Sequence, residues 1–160
     1  MNKGSKGFSL IELLIVVAII LIIAAIAIPN LLRSRIAANQ ASAVGSLRTL
    51  NTAEITYSST YNVGFTNALG WLQPPAAAAN PTSTAAGLID SVLSAGAKSG
   101  YSFTYSPGAS DSTGRINTYA ITAVPITSST GTNYYFTDQS GVIRQNSTTT
   151  AAASDSPIAG

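Results

Sequence analysis

The polar and apolar positions divide the chain into three regimes. Leu13 to Ile28 reads LLIVVAIILIIAAIAI, sixteen residues without a polar side chain, and the 20 residues from Leu13 to Leu32 carry no charge. At about 1.5 Å of rise per residue such a helix is roughly 30 Å long, the hydrocarbon thickness of a bilayer. Many of these residues are β-branched. Lipid offers no partner to backbone polar groups, however, so the run predicts a helix rather than a strand. After Asn30 the pattern turns amphipathic. Ile36, Ala43, Leu50 and Tyr57 are spaced seven apart, Leu47 and Tyr61 fall beside them, and Arg33, Arg35 and Arg48 lie elsewhere. That spacing predicts one continuing helix with a single core-facing stripe, ending near Thr60. Gly45 weakens it by about 1 kcal/mol relative to Ala. The expected arrangement is a helix over 8–60, with 13–32 as the apolar anchor and the second half embedded in a head domain.

The head spans 61–145. Residues 62–100 form a long connection in which Gln73-Pro74-Pro75-Ala76 through Pro81 is turn-prone, and Trp71 and Leu72 are candidates to pin it to the core. Ala85–Ala95, AAGLIDSVLSA, predicts a short helix with Leu88, Ile89, Val92 and Leu93 inward and Gly96 as its stop. From Tyr101 the period switches to strands: Tyr101–Ser106, Ile116–Val124, and a hairpin of Asn133–Thr137 and Val142–Gln145 around Asp138-Gln139-Ser140-Gly141. Four short antiparallel strands need a cover for one face, and the Ile36–Tyr61 stripe offers it. The fold class is therefore α+β. Residues 146–160 hold no aromatic and only Ile158 as a large aliphatic, which predicts a flexible tail. Asn146-Ser147-Thr148 is an N-x-S/T triplet, a pattern that chance alone makes common.

Composition narrows the chemistry. Apolar residues make up 46% and charged residues 9%, and His and Cys are absent. Disulfides, thiol nucleophiles and imidazole bases are excluded together. Eight basic and six acidic residues, net +2, are scattered, so no basic face for nucleic acid is visible. The acids Glu12, Glu54, Asp90, Asp111, Asp138 and Asp155 are well separated, and no Gly-rich phosphate loop follows a strand. Asp111-Ser112-Thr113-Gly114 and Asp138-Gln139-Ser140-Gly141 read as turns, with a calcium site as the sharper alternative. The reading is of a chain without catalytic residues, cofactor or metal.

Lys3 and Lys6 precede the apolar run, which places the N-terminus in the cytoplasm. A secretory signal with an Ala25-Ile26-Ala27 cleavage site is one alternative, and a plain single-pass anchor is another. Glu12 argues against both. A carboxylate in an apolar helix costs a few kcal/mol near the bilayer centre, roughly, and less at its edge, so it requires a partner.

Gly7-Phe8-Ser9-Leu10-Ile11-Glu12 follows the short polar stretch Met1 to Lys6 and resembles the processing motif of type IV pilins and pseudopilins, which implies that 1–7 is a leader peptide. The resemblance implies cleavage between Gly7 and Phe8 by a prepilin peptidase, N-methylation of Phe8 by the same enzyme, and a subunit-assembly role for Glu12 with Phe8. It also implies partners: an inner-membrane assembly platform, further copies of the chain in a helical homopolymer, related minor pilins, and the lipid bilayer before assembly. The implied product is a bacterial cell-surface pilus serving adhesion, motility or DNA uptake. A type II secretion pseudopilus, whose major subunits carry a calcium site, and an anchored binding domain that never polymerises remain the alternatives. Phe8 and Glu12 are four residues apart, one helical turn, so the carboxylate can meet its own amine or that of a neighbour shifted along the axis. Two such charges at about 4 Å attract by roughly 4 kcal/mol at an effective dielectric near 20, and desolvation offsets much of that. Pro29 removes a helical N–H and crowds the carbonyl of Ala25, which predicts a kink. The family likeness implies that helix near such a proline bends or partly unwinds in the filament. The sequence departs from many members in lacking a C-terminal disulfide, leaving its last strands to packing alone.

Overall fold

The computed structural model describes residues 7–77 and 79–158. The chain forms two compact units, Met1–Arg35 and Ile36–Gly160. Helix α1, Leu10–Tyr61, begins in the first, and Pro29 lies inside it with helical backbone on both sides. In the turn after the proline, the Ser34 hydroxyl donates to the Asn30 carbonyl at 3.0 Å. No described side chain of this unit finds a core: the large apolar residues from Leu10 to Leu32 are 45–81% exposed. The helix is long and apolar enough to cross a membrane.

In the second unit, α1 buries Ala43, Ser46, Leu47, Leu50, Asn51, Ala53, Glu54 and Tyr57, with Ile36 and Tyr61 half-buried at the margins. This is the stripe expected from the seven-residue spacing. Three of its buried side chains are polar, and Asn51 shows how one is accommodated. Its amide nitrogen donates to the Thr137 hydroxyl (2.9 Å) and the Gly141 carbonyl (3.3 Å), while its oxygen accepts from the Tyr119 hydroxyl (3.0 Å). A buried amide so satisfied also fixes where the helix sits on the sheet.

The sheet has five antiparallel strands in chain order: β1 Ala97–Lys98, β2 Tyr101–Pro107, β3 Tyr119–Pro125, β4 Tyr134–Asp138 and β5 Arg144–Asn146. Alternation sends Tyr101, Phe103, Tyr119, Ile121, Ala123 and Tyr135 inward against the helix stripe, with Leu72, Ile89 and Leu93 completing the core.

The structure differs from the expected elements in four places. The sheet has five strands, not four. The extra hairpin is β1–β2, with Lys98 opposite Tyr101 and a two-residue loop whose members, Ser99 (φ 50°) and Gly100 (φ 76°), are both left-handed. Such a loop matches the twist of paired strands. The second expected strand begins at Tyr119 rather than Ile116. Ile116 instead bridges Gly64 and Ser110, and its carbonyl accepts from Phe65 N–H at 2.7 Å. Gly64 (φ 85°) lies so close to that carbonyl that a Cβ would strike it.

The helix expected over 85–95 contracts to α2, Ser91–Ser94. Ala86, Gly87 and Leu88 give their N–H groups to the carbonyls of Trp71, Gln73 and Leu72, in and after a 3₁₀ turn over Leu69–Leu72. Asp90 then starts the helix by accepting from Leu93 N–H at 2.9 Å. Ile89 and Leu93 point inward as expected, Leu88 is partly buried, and Val92 is exposed.

The stretch 146–160 was expected to be a flexible tail, but its described part after β5, 147–158, folds back on that strand. Gln145 N–H donates to the Ser156 carbonyl and Ile158 N–H to the Ile143 carbonyl. Arg144 Nη1 donates to the Asp155 carbonyl (2.9 Å), and the Asp155 carboxylate accepts from the Asn146 amide (3.0 Å) and from Ala152 N–H (2.7 Å). Ala151 is buried and Ile158 packs on the core. Hydrogen bonds to an otherwise open sheet edge hold what apolar content alone would leave free. They also occupy the Asn146 amide nitrogen, the atom that a sugar would need.

Candidate assembly segment at the N-terminus

Phe8 is 79% exposed, and Gly7 has open space where a Cβ would sit. Both are exposed and belong to no helix or strand, so the Gly7–Phe8 bond lies in accessible chain. The basic residues Lys3 and Lys6 lie outside the described residues. Helix α1 begins two residues beyond Phe8, and its start is stabilised locally. Ser9 N–H donates to Glu12 Oε2 at 2.9 Å, and the Ser9 carbonyl accepts from Leu13 N–H at 3.2 Å. This is half of a capping box, in which the side chain three residues into a helix turns back to the amide that precedes it. The S-x-x-E spacing at Ser9–Glu12 was visible in the sequence as a cap signal. Reading Glu12 only as an intramembrane acid in search of a partner overlooked it. An acid in the first turn is also favoured by the helix dipole. Glu12 thus has one oxygen satisfied within its own chain, and Oε1 takes no donor among the described residues.

The turn aspartates are occupied locally. Asp111 accepts from Thr113 N–H and Oγ1, Arg115 N–H and the Asn117 amide, and these hydrogen bonds, the Thr113 hydroxyl first, hold its carboxyl far below the usual range. Asp138 accepts from the Ser140 N–H and hydroxyl. No cluster of three acidic, His or Cys side chains suited to a metal occurs among the described residues.

The family model described as a prokaryotic N-terminal methylation motif matches residues 2–28. The chain is similar to the type IV major pilin protein PilA of Myxococcus xanthus, 51% identical over 53 residues, which cover 33% of this chain and 24% of that protein. It is also similar to the type IV wide pilus major component PilA4 of Thermus thermophilus, 65% identical over 37 residues, covering 23% of this chain and 28% of that protein. No solved structure matches. The chain thus joins a methylation motif to an exposed apolar helix, and over 53 and 37 residues it is similar to two type IV pilus components. The matched stretch spans about a quarter of each relative's length. The motif and the long apolar helix fit anchoring in an inner membrane.

Proposed function

We propose that this chain is a structural subunit of a type IV pilus-like filament. The observation that carries the reading is the methylation motif over residues 2–28 continuing into a helix whose apolar side chains from Leu10 to Leu32 have no partner within the unit. A surface this apolar is stored in lipid or covered by other copies. The N-terminus lies in the cytoplasm, and Leu13–Leu32 holds the subunit in the inner membrane. A prepilin peptidase cuts between Gly7 and Phe8 and methylates the new Phe8 amine, which stays cationic. The assembly platform then extracts subunits into the filament alongside related minor pilins. The Glu12 carboxylate meets the Phe8 amine of a neighbour, Pro29 kinks the helix, and the head domain meets the surroundings. Adhesion, motility or DNA uptake is the work such a filament serves. Both relatives are major pilus components, which favours the pilus over the secretion pseudopilus.

Two variants test the reading. Gly7→Ala adds a methyl group next to the scissile bond and is expected to leave most of the protein uncut, seen as a precursor mass. A normal mature mass, starting at methylated Phe8, would show that Gly7 is not the cleavage determinant. Glu12→Ala is expected to leave cleavage intact and lower the sheared filament yield several-fold. Wild-type yield from that variant would remove Glu12 from assembly.

A further inference from the structure

The charges of the first unit are segregated. Glu12 stands at one end, Arg33 and Arg35 at the other, and the stretch from Leu13 to Leu32 between them is uncharged. Glu12 Oε2 is held by Ser9 N–H, and Oε1 takes no donor among the described residues. The guanidinium groups of Arg33 and Arg35 are exposed, and the one ion pair among the described residues is Lys98–Asp90, far along the chain. Neither arginine has a hydrogen-bond acceptor among the described residues, and both lie on a helix whose neighbouring surface is apolar. Within one straight helix the acid and the bases cannot meet, because 21 and 23 residues separate them, about 31 and 34 Å at helical rise.

We infer that Arg33 and Arg35 receive the Glu12 carboxylate of a second copy of this chain, one displaced along the helix axis by about 31–34 Å. The inference rests on the filament reading and adds to it a second class of neighbour. The Phe8 amine and Glu12 are four residues apart, so their pairing between copies fixes a stagger of only about 6 Å, and the arginine contact fixes a long one. Parallel copies related by the long stagger bring the acidic end of one helix level with the basic end of the other. The two arginines point about 200° apart around the helix, so a guanidinium is available on either side whatever the rotation between copies. Burying the apolar segments among copies also removes water from Glu12. A carboxylate offers about four acceptor sites, so beside the Ser9 N–H and a neighbour's Phe8 amine a desolvated Glu12 still has room for a guanidinium, the side chain best shaped to complete its hydrogen bonds. The cap from Ser9 N–H and the contact to arginine use different oxygens, so the helix start need not open for docking. Charge pairing of this kind sets register and rejects wrong staggers, while apolar packing supplies the adhesion.

The chain has no cysteine, so introduced pairs report cleanly. The full-length Ile11→Cys/Ser34→Cys variant, oxidised in isolated filaments, is expected to give a ladder of covalent multimers on non-reducing gels that neither single variant gives. Ile11→Cys/Ile15→Cys reports the short stagger. Abundant filaments that cross-link through the second pair and not the first would overturn the inference and leave the filament reading intact. Absence of filaments in the wild type would overturn both. Arg33→Gln/Arg35→Gln is expected to lower filament yield several-fold with the membrane pool of subunit unchanged. A matching fall in the membrane pool would mean the arginines serve only the lipid headgroups, and would also overturn it.

Discussion

Glu54→Ala is expected to lower the stability of the head by about 3 kcal/mol, whereas Glu54→Gln is expected to stay within about 1 kcal/mol of wild type. The contrast follows from what the carboxylate does. Glu54 is fully buried on α1, and its two oxygens accept from Thr66 N–H (3.0 Å) and the Thr66 hydroxyl (2.6 Å). Thr66 is itself fully buried, and its carbonyl accepts from the Tyr105 hydroxyl at 2.9 Å. Alanine strands two buried donors and leaves a cavity. Glutamine keeps an acceptor for the N–H and offers a donor to the hydroxyl oxygen. No cation faces Glu54 among the described residues, and burial pushes its carboxyl up against the opposing pull of the Thr66 hydrogen bonds. The same burial, reinforced by the charge of Glu54, raises the Tyr105 and Tyr119 hydroxyls.

The pH dependence has a definite sign. An acid whose value is raised on folding binds its proton more tightly in the folded state. Its contribution is therefore full below its unfolded value of 4.5 and is lost as pH rises through the folded value. Asp90 and Asp111 act oppositely, since both are lowered from 3.8, and their contribution is lost only at more acid pH. From neutrality down to about pH 4.5 the Glu54 effect stands alone among these three, so the wild type is expected to melt higher at pH 5 than at pH 7. Glu54→Gln is expected to flatten that slope. Trp71 fluorescence of the full chain in detergent, followed through thermal unfolding at several pH values, measures both. A slope that survives in Glu54→Gln, or an unshifted midpoint in Glu54→Ala, would refute this account.

Glu54 also shows where sequence reading reaches its limit. The apolar stripe of α1 was legible because burial there follows a helical period, and Ala43, Leu47, Leu50 and Tyr57 lie where that period puts them. The strands from Tyr101 onward were legible for the same reason with a period of two. The buried partners Glu54–Thr66 and Asn51–Thr137 leave no such trace, because each is a single polar residue whose mate is chosen by tertiary contact. The 85–89 segment failed in another way. Its side chains are helix-compatible, but the N–H groups of Ala86, Gly87, Leu88 and Ile89 are claimed by carbonyls of the 71–73 segment, and long-range hydrogen bonds override local preference. At the N-terminus the likeness to pilins was carried by side-chain types at fixed offsets, legible in the one-letter string. The cap from Ser9 to Glu12 was equally local and equally legible.

Removing residues 147–160 is expected to lower the thermal midpoint by several degrees and to aggravate aggregation, although the deleted stretch is poor in apolar residues. Deletion removes the Ser156 carbonyl that accepts from Gln145 and the Asp155 carbonyl that accepts from Arg144. It also removes Ile158, whose N–H donates to the Ile143 carbonyl. The Arg144 guanidinium already has a buried Nε without a partner, and deletion takes from it the Asp155 carbonyl as well. Burial of Ala151 and Ile158 contributes about 2 kcal/mol and the hydrogen bonds roughly 1 kcal/mol each at most, against the chain entropy regained on deletion. The net loss is therefore a modest one of about 2 kcal/mol, but it falls on an edge. With the tail gone, β5 presents free N–H and C=O groups to any other strand. Asp155→Ala isolates the latch, since it removes both side-chain contacts, to Asn146 and Ala152, while keeping the rest of the chain. Hydrogen exchange is the decisive readout: Gln145 and Ile158 amides should lose protection in Asp155→Ala while β2 and β3 keep theirs. Unchanged protection at those two amides, together with an unchanged midpoint after truncation, would mean that the tail contributes nothing to the head.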